Sequence, residues 1–304
     1  MSWFLYRKIK SIEFMDVKKF LSEHELTSFP VGLGGCRTSE INDDSCDYDV
    51  FVFDEKSGQE IVPYENEFVM IHHASFSETQ SKQLLQYDKL QIIQDDSWEL
   101  RMLLSKINEK RSSLYADSAK NSLIESLFCC QKTKESIQSS DVFGPCWQKC
   151  ATFNLADAIT SLNHLRISPS HMLDLLRRLE KNQINEHISI VTQTVGIERA
   201  TPPLLERMLK STIGFSDLIE KNNHSQIIKQ KYEFFVKNSR LSDCYFYLGW
   251  INKENFLKIK NALNRGQDHI HILKVAFDLE ADMNLVEQQA NLIQKSCNDI
   301  LGIL

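Results

Sequence analysis

The chain has 304 residues, 42% of them hydrophobic and 25% charged, enough apolar material for a proper core and a two-domain globular protein. A net charge of −6 and a pI of about 5.9 argue against a general electrostatic grip on nucleic acid, so a small-molecule substrate is favoured over a polynucleotide. Eight cysteines lie scattered without the dense, regular spacing of a secreted disulfide scaffold, and the expected compartment is a reducing cytoplasm.

Trp3 to Tyr6 is apolar, but Arg7, Lys8 and Lys10 interrupt it at once, so neither a signal-peptide core nor a membrane span is expected. From Met15 to Leu26, Val17, Phe20, Leu21 and Leu26 fit one helical stripe with Asp16 near its start. This helix is expected to pack on a sheet. Phe29 to Leu33 reads as a short strand ending in Gly34-Gly35, and after a polar segment Asp47 to Phe53 alternates as a second strand.

Period two puts Asp47 and Asp49 on one face of that strand and Tyr48, Val50 and Val52 on the other. Carboxylates at i and i+2 are roughly 6.5 to 7 Å apart along the backbone. Their side chains can therefore converge on one or two hard cations. A glycine pair after a strand lets the backbone approach a phosphate closely, because no Cβ intervenes and the N–H groups can form an anion-binding nest. The two features complement each other: Gly34-Gly35 suits a triphosphate, and the acid pair suits its Mg²⁺. The competing reading is a β-hairpin whose acidic loop is merely solvated.

The order of apolar strand, Gly34-Gly35, an eleven-residue spacer from Cys36 to Cys46, and Asp47-x-Asp49 resembles the signature of the DNA polymerase β-like nucleotidyltransferase superfamily. Within it the likeness is to small nucleotidyltransferases of the kanamycin and lincosamide kind. Arg37 stands where many members carry an arginine after the glycine motif, and Cys46 takes the place of a serine that often precedes the first aspartate. The resemblance implies that Asp47 and Asp49 are catalytic ligands of Mg²⁺ or Mn²⁺. It further implies that Gly34 and Gly35, helped by Arg37, hold the phosphates of a nucleoside triphosphate, ATP first among candidates. It covers about the first hundred residues by motif and the remainder only by helical character.

Asp54 to Gly58 reads as a turn, Gln59 to Val62 as a strand stopping before Pro63, and Glu67 to Phe76 as a strongly strand-like run. In the superfamily a third carboxylate usually comes from a neighbouring strand at about this point. Here the aligned positions hold Met70 and His72, and Glu67, the only acid of the run, stands near its start. His72 has the chemistry of a substitute base or metal ligand. Ordinary half-buried sheet histidines are the alternative, and His72 and His73 must in any case face opposite ways.

Leu90 to Ile93 is another short apolar run, followed by a helix beginning near Glu99 with Ser97 or Asp96 as its N-cap; Asp95 and Asp96 are read as capping or turn residues before metal-site ones. Beyond Ser105 strand patterns nearly vanish. Helices are expected over Leu103 to Gln131, Pro145 to Leu165, Ser170 to Gln183, Pro203 to Lys210, Ser225 to Lys237, Lys253 to Leu263 and His269 to Leu301, with His187 to Val191 either strand or helix. Cys146 and Cys150, one turn apart and preceded by Cys129-Cys130, read as helical packing, since no C-x-x-C pair or suitably spaced histidine accompanies them. Asn154, Asp157, Asn163 and His164 are the polar residues of an otherwise broadly apolar helix. The aromatic run Cys244 to Trp250 reads as inter-helix core before a base-stacking platform, and Arg177, Arg178, Lys229 and Lys231 read as solvated helix faces.

The expected fold is α+β: a small mixed β-sheet nucleotidyltransferase domain over residues 1–104, followed by an α-helical bundle domain over 105–304. The expected partners are a nucleoside triphosphate and an acceptor hydroxyl, on a small molecule in preference to protein or RNA, with no membrane involvement. The alternative is a non-catalytic nucleotide-binding or protein-interaction module that keeps the fold and lacks the third carboxylate.

Overall fold

The structure, a computed structural model, describes residues 15–65, 67–219, 224–263 and 270–304. The expectations for Trp3 to Tyr6 and for a helix start at His269 lie outside the described residues. The fold is α+β: a five-stranded mixed sheet in the N-terminal part followed by a mostly helical region.

Helix α1, Val17–Glu23, starts where the Asp16 carboxylate accepts the Lys19 amide at 3.1 Å. Strands β1 (Val31–Gly34), β2 (Tyr48–Val52), β3 (Gln59–Tyr64), β4 (Glu67–His73) and β5 (Gln91–Gln94) follow, with a single helical turn, α2 (Ser81–Leu84), before β5. Their order across the sheet is β3-β4-β2-β1-β5, with β2 and β4 parallel and the other pairs antiparallel. β3 runs through Pro63 instead of stopping before it. It is an edge strand, where a residue without an N–H is tolerated in the sheet.

Alternation sorts the two faces. Val31, Leu33, Tyr48, Val50, Val52, Val69 and Ile71 pack against Phe20 and Leu21 of α1. Phe51 and Leu90, on the other face, pack with Leu100, Ile107, Leu114 and Tyr115. These last four belong to α3 (Glu99–Gln138), whose first half thus covers the sheet while its second half enters the helical core. Asp95 caps α3: its carboxylate accepts the Leu100 amide at 3.2 Å and the Arg101 amide at 2.9 Å. Asp95 is thus a capping residue as expected, while Ser97 and Asp96, the expected N-cap residues, are not: Trp98, with a left-handed φ of 65°, stands at the N-cap position.

Helices α4 (Gly144–Leu162), α5 (Met172–Arg178), α6 (Ile188–Val195), α7 (Pro202–Ile219), α8 (His224–Lys237), α9 (Leu241–Leu263), α10 (Ile270–Ala276) and α11 (Met283–Leu301) complete the described chain. α4 is buried nearly all round and packs against α3, α6, α9 and α11. His187 to Val191 is helical, as a 3-10 turn leading into α6. The expected last helix is two, because Asp278 turns the chain at φ 48° and Asp282 starts a new helix by accepting the Asn284 amide. The run Cys244 to Trp250 lies inside α9, and Cys244 to Leu248 are buried in the inter-helix core. Cys129, Cys130, Cys146 and Cys150 are buried there too. Asp157 is no surface residue. Lys253 Nζ meets its Oδ2 at 2.7 Å and Trp250 donates to its Oδ1 at 3.1 Å.

The position of the α3 cap is open to test by urea denaturation. Asp95→Ala should cost about 1 to 2 kcal/mol, as loss of a working N-cap does. Asp96→Ala and Ser97→Ala should each stay within about 0.5 kcal/mol, as substitutions at exposed positions do.

Candidate active site

Gly34 is the register partner of Asp49 in the antiparallel β1/β2 pair, so the end of β1 delivers the glycines beside the acid. At Gly35 a Cβ would stand 1.8 Å from Asp49 Oδ2, and its φ is +75°. Glycine is therefore required there twice over, by space and by backbone conformation. Gly34 has another role. A Cβ on it would stand 2.6 Å from Leu90 and 2.9 Å from Phe51, so its bare backbone seats the apolar layer under the site.

The parallel β2/β4 register sets Asp49 beside Met70 and Phe51 beside His72. His72 Nε2 lies 2.8 Å from Asp49 Oδ1, and its ring stacks on Phe51 with centroids 4.5 Å apart. An ionised carboxylate only accepts, so Nε2 is the donor in this contact. Burial works to raise the Asp49 pKa, but the His72 hydrogen bond and charge, with Arg166 and Lys231, outweigh it and hold the carboxyl below its ordinary value of 3.8. His73 faces the other way and pairs with Asp54 at 2.9 Å. Where the resemblance calls for a third carboxylate, the side chain beside Asp49 is the thioether of Met70.

Asp47 is buried, and its Oδ2 lies 2.7 Å from Lys231 Nζ on α8. The same ammonium donates to the Ser45 carbonyl at 2.8 Å. Burial pushes the Asp47 carboxyl up against the pull of Lys231, whereas Lys231 is held well above the ordinary lysine range because the attraction of Asp47 outweighs its own burial. The proton stays on the lysine, and the pair is ionic. Lys231 is thus not on a solvated face. Ile227, Ile228, Lys231 and Phe235 form one buried stripe of α8, and a lysine within that stripe was the available signal.

Arg37 turns into the protein. Its Nε donates to the Cys46 carbonyl at 2.6 Å, Nη2 donates to Glu67 at 3.1 Å, and its guanidinium lies over the Tyr48 ring. It clamps the spacer between the glycines and Asp47, and Glu67, the acid at the start of β4, is its partner. A second arginine, which sequence reasoning missed, stands nearer Asp49. Arg166, in the segment between α4 and α5, acts electrostatically on Asp49 and would touch a Cβ on Gly34 at 3.3 Å. No local pattern marks it. Asp95 is used up in capping α3.

The fit of a divalent cation can be judged from the donors. The Lys231 contact uses Oδ2 of Asp47 and the His72 contact uses Oδ1 of Asp49, leaving one oxygen of each outside these two contacts. Hard carboxylate oxygens in that number suit one Mg²⁺ or Mn²⁺ that keeps water and phosphate as its other ligands. Met70, the register partner of Asp49, offers only sulfur, a poor donor for a hard cation.

No protein-family model matches the chain, and the comparison with curated proteins gives no match. Among solved structures it is similar to the crystal structure of a nucleotidyltransferase-like protein from Exiguobacterium sibiricum 255-15, at 12% identity and a TM-score of 0.31, covering 73% of this chain and 90% of that one. At that distance the site has to be read from its own residues.

Lys231→Met should destabilise the protein by about 3 to 5 kcal/mol, because Asp47 is left charged and unpaired in the interior. Adding Asp47→Leu should restore most of that loss, read from urea midpoints of the two variants.

The linkage of Asp49 has a definite sign. Its folded carboxyl releases its proton more readily than the unfolded one, so its contribution is complete above the ordinary value of 3.8 and is lost as pH falls through the lower folded value. The stability advantage of the natural chain over Asp49→Asn should therefore shrink as denaturation is repeated at successively lower pH below about 4.

Proposed function

We propose that the protein is a nucleotidyltransferase that moves a nucleoside monophosphate from a nucleoside triphosphate, ATP first among candidates, to an acceptor hydroxyl, a small molecule being favoured. One observation carries the reading. The Gly35 backbone sits directly against the Asp49 carboxylate, on the sheet face where Asp47, His72, Arg166 and Lys231 also gather.

In this reading residues 1–104 bind the nucleotide and the helical part closes the acceptor side. Backbone N–H groups around Gly35 meet the phosphates, and Arg166 adds a planar charged donor beside them. Asp47 and Asp49 would hold one Mg²⁺ or Mn²⁺, which when bound neutralises phosphate charge and polarises the α-phosphate. Asp49 also orients His72, as a carboxylate orients an imidazole in hydrolytic triads. His72 Nδ1 takes the proton of the acceptor hydroxyl, whose oxygen forms a bond to the α-phosphorus. The bond to the bridging oxygen breaks, and pyrophosphate leaves with the electron pair.

A second reading keeps nucleotide binding and drops catalysis. It is favoured by Met70 in place of the third carboxylate and by the ammonium of Lys231 already set against Asp47.

Incubation with α-labelled nucleoside triphosphates, Mg²⁺ or Mn²⁺ and a panel of hydroxyl-bearing small molecules, RNA and proteins should yield a labelled adduct. His72→Ala should lower transfer by about 10² to 10⁴-fold, the worth of a positioned base, with nucleotide affinity unchanged. Glu67→Ala should have a mild effect, since its carboxylate serves Arg37. Calorimetry without any metal-dependent nucleotide binding would overturn both readings, and tight binding without transfer to any acceptor would select the second.

A further inference from the structure

The spacer between Gly35 and Asp47 carries a second group of side chains that the proposed transfer does not use. Cys36 and Cys46 are the two ends of that spacer, His171 comes from the turn just before α5, and the three ligand atoms all lie within 4.8 Å of one another. Cys46 and His171 are buried, at 2% and 3% exposure, and Cys46 Sγ stands 3.2 Å from His171 Nε2. We infer that Cys36, Cys46 and His171 form a zinc site that ties the spacer loop of the sheet to the helical part of the protein.

The donor set selects the metal. Two thiolates and an imidazole suit Zn²⁺ and discriminate against Mg²⁺ and Ca²⁺, which take oxygen. Tetrahedral zinc with bonds of about 2.3 Å to sulfur and 2.0 to 2.1 Å to nitrogen separates its donors by roughly 3.5 to 3.8 Å. The observed separations, 3.2 Å from Cys46 Sγ to His171 Nε2 and none above 4.8 Å, need to change by no more than about 1 Å to reach that geometry. Zinc takes sulfur as thiolate, so its binding here would release thiol protons to solvent.

Asp43 supplies the support that a metal-bound histidine needs. Its Oδ2 lies 3.9 Å from His171 Nδ1, the nitrogen that faces away from Cys46. Its Oδ1 accepts the Ser45 amide at 2.9 Å and the Ser45 hydroxyl at 2.6 Å, and Arg240 holds Oδ2 at 3.3 Å. With both oxygens so engaged, Asp43 would not itself ligate the metal, and at 3.9 Å from Nδ1 it would support the ring through a bridging water or a small closing shift. The remaining thiols pack in the helical core. Among the described residues, the group of Cys36, Cys46 and His171 is the one where three metal-ligating side chains meet closely enough.

The test uses the full chain, purified under reducing conditions without chelator, and its readout is independent of nucleotide. Metal analysis and competition titration should give one Zn²⁺ per chain, and Co²⁺ added to the chelator-stripped protein should give the visible spectrum of a tetrahedral thiolate site. Cys46→Ser and His171→Ala should lose stoichiometric binding. His171→Cys should keep it, because a third thiolate replaces the imidazole. Asp43→Asn should weaken zinc by about 10 to 100-fold, and Cys146→Ser, remote in the helical core, should not. If a ligand variant fails to fold, stripping and reloading the natural chain still decides the matter. The inference is overturned if the reduced natural chain takes up no zinc, if Cys36 and Cys46 are joined as a disulfide in the freshly reduced and purified protein, or if Cys46→Ser binds zinc as well as the natural chain.

Discussion

The ion pair between Asp47 and Lys231 is the constraint on which the site depends. It joins the start of β2 to the buried stripe of α8 at 2.7 Å, in a position where either charge alone would be costly. Such a pair contributes little net stability over apolar packing, but it punishes any arrangement in which the helices and the sheet separate. The same ammonium holds the Ser45 carbonyl, so one side chain fixes both the acid and the loop leading to it.

Around that pair the molecule uses one logic repeatedly. Short segments of the sheet expose polar groups, and residues from distant parts of the chain complete them. Arg37 closes the spacer onto Cys46 and Glu67, Arg240 reaches Asp43, and His171 reaches Cys46. The spacer, with little regular structure of its own, is consequently held from both sides. Its fixed shape presents Gly35 to Asp49 at a distance that no side chain at position 35 would allow.

The carboxylates divide their work in a way that bears on chemistry. Asp47 is buried and balanced by a permanent cation, whereas Asp49 is balanced by an imidazole that donates to it. Two acids two residues apart are therefore inequivalent, because their partners come from different elements. Under the proposed transfer reaction, that asymmetry would suit a single cation with His72 as the proton acceptor better than a symmetric pair of cations.

Much of this was legible in the residues alone. Period-two alternation put Asp49 on one face of its strand and Tyr48, Val50 and Val52 on the other, because side-chain direction in a strand is a local property of the backbone, whereas the register that sets His72 beside it is not. Helical stripes and glycine positions were readable for the same reason, but not every helix end was: α7 runs on to Ile219 where an end at Lys210 is expected, and α9 begins at Leu241 where a start at Lys253 is expected. The break between α10 and α11, the burial of Lys231, the inward turn of Arg37 and the meeting of Cys36, Cys46 and His171 were not. Each depends on which segments pack together across tens to hundreds of residues. A lysine or cysteine carries no mark of the partner that packing will bring to it, and only the tertiary structure decides whether its charge or thiol meets water, a carboxylate or a second ligand.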